Sequence, residues 1–535
     1  MPATLIDTEQ RTDRPVVPTR SHRLPIALIV AFAVGIVAAA AIYQPWKNTP
    51  FDIIDFSEFL PFLYQHDSFQ ARYSAFVSYF TSQGRFDLLS YLLIVWKWSV
   101  FGSSEAAWQV ARFVEMSGIV LAVYLLLRRL GAGRWGSVAG ASLFVVAQTA
   151  SPAWIRLTMG EPFGLLAIIG AAMLATRYQD TPRWRAAGAL IAALLATSLL
   201  AKEMLVAFVP FVLLLACARR ESGEPVPLRL TRRNVWLAGL VGAGVLAVLV
   251  PVAVVALRAR SGAYVSDYGT GSLSMDRLIH SFTVILFPVS GLPEPRFSFA
   301  RLSANLIFFA IVTAGLWLSR ADSALRRRWS PLGVGALALA AVGAAIYLPW
   351  PYFQKFYGLP FLLGPALLVA IAITSIENLR PSWRWAAYAG CLVVFVQGAT
   401  SAARASRAAI GERRINFVLV NDFAAHPDAD SIVVAMRYLP TQAWQGRGAT
   451  LGRYARAILP DKVVPTVSDA LCNATLPMLR EGVGNAMLVT YSDQCGAFPV
   501  PARTLRYYYT YLRWPTLAPQ RDSLVVGILD PATPQ

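Results

Sequence analysis

The chain has 535 residues, 56% of them hydrophobic and 15% charged, with a mean hydropathy of +0.50, which excludes an ordinary soluble globular protein and predicts a polytopic membrane protein. The formal net charge of +18 would suit a nucleic-acid binder, but the arginines fall between apolar runs and form no continuous basic face, so no nucleic-acid partner is expected. Apolar runs of roughly 18 to 22 residues recur along the chain, which matches the ~20 residues a helix needs to cross ~30 Å of hydrocarbon.

Residues 1–23 are polar and basic and read as a cytoplasmic tail; the apolar run after them has no convincing cleavage site, so a retained first helix is expected rather than a signal peptide. Eleven spans follow, at 24–44, 107–127, 135–153, 161–176, 186–201, 203–218, 235–257, 302–319, 331–349, 358–376 and 385–402. Arginines gather at alternate ends of these spans. Arg11, Arg14, Arg20 and Arg23 precede the first, Arg128, Arg129 and Arg134 separate the second from the third, and Arg177, Arg183 and Arg185 separate the fourth from the fifth. Arg219, Arg232, Arg233, Arg326, Arg327, Arg328 and Arg384 continue the series. The positive-inside rule then places the N-terminus in the cytoplasm and, with an odd number of spans, the chain after residue 403 on the extracytoplasmic side of the cell membrane.

The first outer loop, 45–106, opens with PWKNTPFDIIDFSEFLP. In a helix, the i to i+3 spacing of Asp52, Asp55 and Glu58 places all three on one side, with Phe51, Phe59 and Leu60 available to the interface. Other ionisable residues fall at the same end of the predicted bundle: Arg112 and Glu115, Arg156 and Glu161 in TASPAWIRLTMGEP, Lys202 and Glu203 in SLLAKEML, and Lys355 in PWPYFQKFYGLP. Ionisable groups near membrane depth are costly and point to function. Taken singly, each has a structural explanation: Lys202 and Glu203 can form a tight turn, and Arg112 can pair with Glu115. Trp96, Trp98, Trp108 and the aromatics of 347–357 read as an interface belt. The loop 258–301, rich in Gly, Pro and Ser, reads either as a cover over a site or as a connector.

From 404 to 535 the apolar runs shrink to strand length (SIVVAM, NAMLVTY, DSLVVGIL), which predicts a small soluble α/β domain. Cys472 and Cys495 lie there, in a compartment where disulfides persist, and form either a bond or two buried thiols; Cys217 and Cys391 fall within spans and read as core. His66, His280 and His426 are scattered, and there is no CxxC, HExxH or P-loop, so neither zinc chemistry nor ATP-driven transport is expected.

In order and in side of the membrane, the early acidic loop, FGSSEAAWQVARFVEM, the GEP before span four, the KE at an outer turn and the late QKFYGLP resemble the GT-C integral membrane glycosyltransferases, most closely the bacterial enzymes that use polyprenyl-phosphate sugars. The resemblance covers about residues 24–400, with the trailing outer domain that such enzymes often carry. It implies an α-helical polytopic, GT-C-like protein that transfers a sugar with inversion from a polyprenyl-phosphate-linked donor to a hydroxyl of a lipid, glycan or protein acceptor. It also implies Asp55 as general base with Asp52 close behind, and Glu161 as a second acid that orients the acceptor or helps to hold a metal. Lys202 and Lys355, with Arg156, would face the donor phosphate, supported by Glu58, Arg112 and Glu203. No cofactor is required on this reading, and a divalent metal is left open. Lys355 stands where many relatives have an Arg-Tyr pair, and the loop-one carboxylates are three residues apart where others have adjacent ones. A polysaccharide polymerase or ligase, or a lipid-linked-sugar flippase, are the alternatives; a transporter would place its charges near the midplane between two related halves, whereas here they lie at span ends.

Overall fold

The computed structural model describes residues 26–46, 51, 53–217, 220–221, 224–225, 231–258, 279, 282–285, 287, 289, 299–321, 323–346, 355–379, 381–425, 429, 431–436, 447–459, 464, 466–472, 486–491, 503–513 and 518–529. The N-terminal tail, Asp52, most of the loop 258–301, His280, His426 and Cys495 lie outside the described residues, as do the side chains of Asp55 and Lys355.

The protein is a multi-pass helical membrane protein with a mixed α/β domain near its C-terminus. The helices are α1 (Ile26–Tyr43), α2 (Ile53–Gln65), α3 (Phe69–Ser82), α4 (Leu88–Phe101), α5 (Glu105–Leu130), α6 (Arg134–Val146), α7 (Ser151–Ile155), α8 (Glu161–Ala175), α9 (Trp184–Ala201), α10 (Val209–Cys217) and α11 (Arg232–Arg258). After them come α12 (Phe299–Ala321), α13 (Ser323–Ile346), α14 (Leu363–Leu379), α15 (Arg384–Ala425) and α16 (Arg447–Ile458). Among the described residues six helices are long and apolar enough to cross a membrane: α5, α9, α11, α12, the Pro360–Asn378 segment containing α14, and α15. The run 135–153, expected as one span, is divided into α6 and α7, and α4 is a helix within the first loop.

Helix α5 shows how local sequence sets these limits. Ser104 caps its start, the Oγ accepting from Ala107 N–H; Glu105 sits in the first turn, and Arg128 and Arg129 in the last. Negative charge at the N-terminus and positive charge at the C-terminus both complement the helix dipole. Gly131, at φ 94°, then closes the helix in the left-handed conformation. Within the bundle, Gly136 and Gly140 of α6 let it approach α14 closely: a Cβ at either position would lie 2.6 Å from the carbonyl oxygen of Ala370 or Ala366. Small residues spaced four apart are how helices pack closely where no water drives them together.

The two ends of the bundle differ in chemistry. At one end Arg129 Nε donates to Thr176 Oγ1 (2.7 Å), Arg233 donates to the Gln179 carbonyl (3.0 Å), and Arg185 and Arg233 lie 5.3 and 5.5 Å from the Trp184 ring centre. At the other end are the N-termini of α5 and α8 and the C-terminus of α9, which carry Glu105, Glu161 and Lys202.

The C-terminal domain follows a 42-residue helix, α15, about 63 Å long and so twice the hydrocarbon thickness. The expected boundary at 403/404 falls in the middle of it, because the stretch TSAARASRAAIGERR loses apolarity but keeps strong helix formers. Beyond it five strands, β1 (Ser431–Met436), β2 (Thr466–Leu471), β3 (Ala486–Tyr491), β4 (Arg503–Arg513) and β5 (Ala518–Leu529), form one sheet in the order β2-β1-β3-β5-β4. The β1 strand pairs parallel to β2 and β3, and β5 pairs antiparallel to β3 and β4. Strand β4 lies along α15, close enough that a Cβ on Gly411 would be 2.3 Å from the Tyr507 ring. Cys472 is disulfide-bonded. Its expected partner is outside the described residues, and Cys217 and Cys391 are free.

Two apolar cores result. One fills the bundle. The other joins the first loop to the C-terminal domain: Leu60 and Leu63 of α2, Phe76 and Phe80 of α3 and Trp98 of α4 share it with Leu419 and Phe423 of α15, Leu451 of α16 and Ile432, Met487 and Ile528 of the sheet. Loop one and the C-terminal domain are therefore at the same end of the bundle, the carboxylate-rich one.

Candidate active site at the carboxylate-rich end

The site is organised around the turn between α3 and α4. Gly84, at φ 87°, reverses the chain so that Arg85 and Asp87 reach different neighbours. Arg85 Nη1 lies 3.4 Å from Glu58 Oε2 on α2, and Asp87 Oδ2 lies 3.2 Å from Lys202 Nζ at the end of α9. One turn into α4, Ser90 Oγ donates to the Ala201 carbonyl at 2.8 Å. Gly160 completes this junction, since a Cβ there would lie 1.8 Å from Ser90 Oγ and 3.2 Å from the Ala201 oxygen.

Lys202 interrupts α9. Its extended backbone (φ −165°, ψ 118°) separates that helix from the 3-10 turn Glu203–Phe208, and its ammonium is favoured near the helix C-terminus. Glu161 opens α8, is 6% exposed, and stands where a helix N-terminus favours a carboxylate; Lys202, Asp87 and Arg112 are its charged neighbours. Glu203 has Lys202 and Asp87 as its own.

A second cluster adjoins the first. Glu115 of α5 receives Lys97 Nζ of α4 at 2.5 Å and Arg112 Nη1 at 3.1 Å. Arg112 is fully buried and also donates to the carbonyls of Leu157 (2.7 Å) and Met159 (2.9 Å), which pins the irregular segment before α8. Lys97, Glu115, Ser90, Thr158, Gly160 and Phe163 line a small, partly open cleft of about 10 Å³, room for roughly one water molecule. Helix α4, 14 residues long, is too short to cross ~30 Å of hydrocarbon. Burial, with help from the Arg112 guanidinium and against the pull of Glu115, lowers the Lys97 ammonium to about 8.

Of the residues expected from sequence, Glu161, Lys202, Glu203 and Arg112 come together here, and Glu58 joins them through Arg85. Asp55 lies on α2, one turn before Glu58. Arg156 ends α7, immediately before the Leu157 carbonyl that Arg112 holds. Lys355 begins a 3-10 turn, Lys355–Gly358, that packs near α7. Asp87, Arg85 and Lys97 were not anticipated. The available signal was Lys97 itself, a lone cation inside the apolar run LLSYLLIVWKWSVF, with Asp87 at its start. Among the described residues no three His, Cys, Asp or Glu side chains are grouped to hold a metal ion.

The Lys97 ammonium in the cleft, with the Arg112 guanidinium bonded to Glu115 behind it, offers charge to a phosphate, and the carboxylates beside them offer proton acceptors. No family model matches the chain, and no curated protein matches it in sequence. Its structure is similar to that of ArnT from Cupriavidus metallidurans, in the apo state (TM-score 0.45, 14% identity, 95% of this chain and 99% of that one) and bound to undecaprenyl phosphate (TM-score 0.45, 15% identity, the same coverage). It is also similar to the Archaeoglobus fulgidus oligosaccharyltransferase in complex with Zn and sulfate (TM-score 0.45, 10% identity, 86% of this chain and 67% of that one). A mycobacterial arabinofuranosyltransferase, AftD, is similar too (TM-score 0.43, 14% identity, 88% and 35%). Each of these is a likeness of fold at 15% identity or less.

Proposed function

We propose that the protein is an inverting membrane glycosyltransferase that moves a sugar from a polyprenyl-phosphate-linked donor to an acceptor hydroxyl at the carboxylate-rich end of the bundle. One observation carries this reading: the helix that bears Asp55 is tied through Glu58 and Arg85 to the turn whose Asp87 holds Lys202, so loop-one acids and buried cations belong to one assembly.

In the proposed reaction a loop-one carboxylate, Asp55 with Asp52 beside it, takes the proton of the acceptor hydroxyl. The acceptor oxygen bonds to the anomeric carbon from the face opposite the phosphate, and the bond from that carbon to the phosphate oxygen breaks. An in-line displacement of this kind needs one base on the far side and positive charge where the leaving phosphate gathers negative charge. Lys97, Arg112 and Lys202 are the described cations suited to that second task, with Lys355 and Arg156 as further candidates; Lys202 would exchange Asp87 for phosphate as the bond breaks. Glu161, held at the start of α8, would orient the acceptor. The acceptor is a hydroxyl of a lipid, glycan or protein, and the end concerned is the extracytoplasmic one, as the arginine distribution implies.

The test is transfer by purified protein in lipid nanodiscs, offered a panel of radiolabelled polyprenyl-phosphate sugars together with lipid, glycan and peptide hydroxyl acceptors, and scored for labelled acceptor and release of polyprenyl phosphate. Turnover of one donor supports the reading. Binding of every donor without turnover of any would contradict it.

A further inference from the structure

The β4–β5 hairpin runs down α15 toward the membrane. Arg503, near its start, pairs with Asp422 at 3.3 Å; Tyr507 packs on Gly411 and lies 5.9 Å from the Arg414 guanidinium; and Asp522, opposite Tyr509 in the ladder, pairs with Arg404 at 3.0 Å. The strand thus descends as the helix numbering falls from 422 to 404.

Two markers give the depth of Arg404. Helix α1 has 18 residues, about 27 Å, so its last turn lies at the edge of the hydrocarbon, and the Ala41 carbonyl in that turn accepts from Arg407 at 3.1 Å. Counting along α15 from Arg384, ~20 residues cross the hydrocarbon, which also ends near Arg404.

The exposed face of the hairpin suits that depth. Thr504, Arg506, Tyr508 and Thr510 of β4 alternate outward, and their partners Ser523 and Arg521 share the face. Tyr508, 48% exposed, is held between two guanidiniums: Arg521 lies 4.0 Å from its ring centre, and Arg506 lies 5.8 Å away and donates to its hydroxyl at 3.1 Å. Asp522 is on the opposite face, so among the described residues of these two strands the outward face has no carboxylate. Tyrosine at a headgroup boundary flanked by arginines is the chemistry of interfacial anchoring, and guanidinium pairs phosphate bidentately.

We propose that this hairpin meets the lipid headgroup layer around the Tyr509–Asp522 pair, at the carboxylate-rich end, where Arg506 and Arg521, spaced by Tyr508, bind the phosphates of anionic lipids and fix the C-terminal domain against the bilayer. The hairpin is a second foot for a domain otherwise carried by α15 and by the core shared with loop one. This holds whatever reaction the bundle performs.

The test uses full-length protein in nanodiscs with Cys217→Ser and Cys391→Ala, labelled with a small fluorophore at Thr510→Cys. Phe417→Cys, on the exposed part of α15 farther from the bilayer, is the reference. With a nitroxide in the lipid headgroups, quenching at 510 is expected to be several-fold greater than at 417. It is expected to be stronger in phosphatidylglycerol than in phosphatidylcholine discs, a difference that Arg506→Gln with Arg521→Gln removes. Equal quenching at 510 and 417 overturns the proposal. Quenching that ignores lipid charge overturns the phosphate assignment, and relief of quenching by a soluble anionic oligosaccharide would give the face to a glycan instead.

Discussion

Lys202 Nζ sits 3.2 Å from Asp87 Oδ2, joining the break at the end of α9 to the first loop across 115 residues of chain. Both side chains are largely buried, at 13% and 15% exposure. Removing one partner from such a pair leaves a buried charge uncompensated, at a cost of up to about 3–5 kcal/mol. Lys202→Met and Asp87→Asn are each expected to lower the unfolding midpoint in detergent, and the double variant to recover part of the loss. A double variant no more stable than the sum of the singles would show that the two residues do not act as a pair.

Glu58 and Arg85 make a more exposed bridge, at 21% and 25%, of the kind that contributes roughly 0–1 kcal/mol. Glu58→Gln should therefore leave thermal stability almost unchanged while reducing transfer, because it frees the helix that carries Asp55. Parallel melting curves and initial rates separate these effects; a large loss of stability with unaltered rates would count against the positioning role.

The lowered value of Lys97, about 8, gives a pH dependence with a definite sign. The ammonium is present below that value and lost above it, so a rate that needs its charge falls as pH rises through about 8. Lys97→Arg, whose guanidinium stays protonated to beyond ~12, should move that fall to higher pH, and Lys97→Met should abolish transfer at all pH values. An unchanged alkaline limb in Lys97→Arg would assign the fall to another group.

At the junction of α4, α8 and α9, Gly160→Ala places a carbon 1.8 Å from Ser90 Oγ and 2.8 Å from its Cβ. The helices must separate, with loss of activity and, by analogy with overpacked cores, about 1–3 kcal/mol of stability. Adding Ser90→Gly should restore part of both, read by the same assays.

Several of the long apolar helices were legible in the sequence because apolar length is a local signal. The helices α5, α8, α9 and α11 begin and end within a few residues of their expected limits. Lys202, Glu203, Glu161 and Arg112 stood out for the same reason, as isolated charges beside apolar runs. What escaped depends on distance along the chain. Asp87 gains meaning only from Lys202, and the fusion of Leu60 and Phe76 with Met487 and Ile528 in one core joins residues several hundred positions apart. The continuation of α15 past 403 was hidden because a helix leaving the membrane changes composition without changing conformation.

The central claim is that a loop-one carboxylate at this end of the bundle removes the acceptor proton. The most direct measurement compares wild type with Asp55→Asn in nanodiscs, using the donor that wild type turns over and following both polyprenyl phosphate release and the anomeric configuration of the product. The account predicts an inverted product from wild type and none from Asp55→Asn, with membrane insertion intact, and substantially slower transfer by Asp52→Asn and Glu161→Gln. Full activity in Asp55→Asn, or a product of retained configuration, would contradict it.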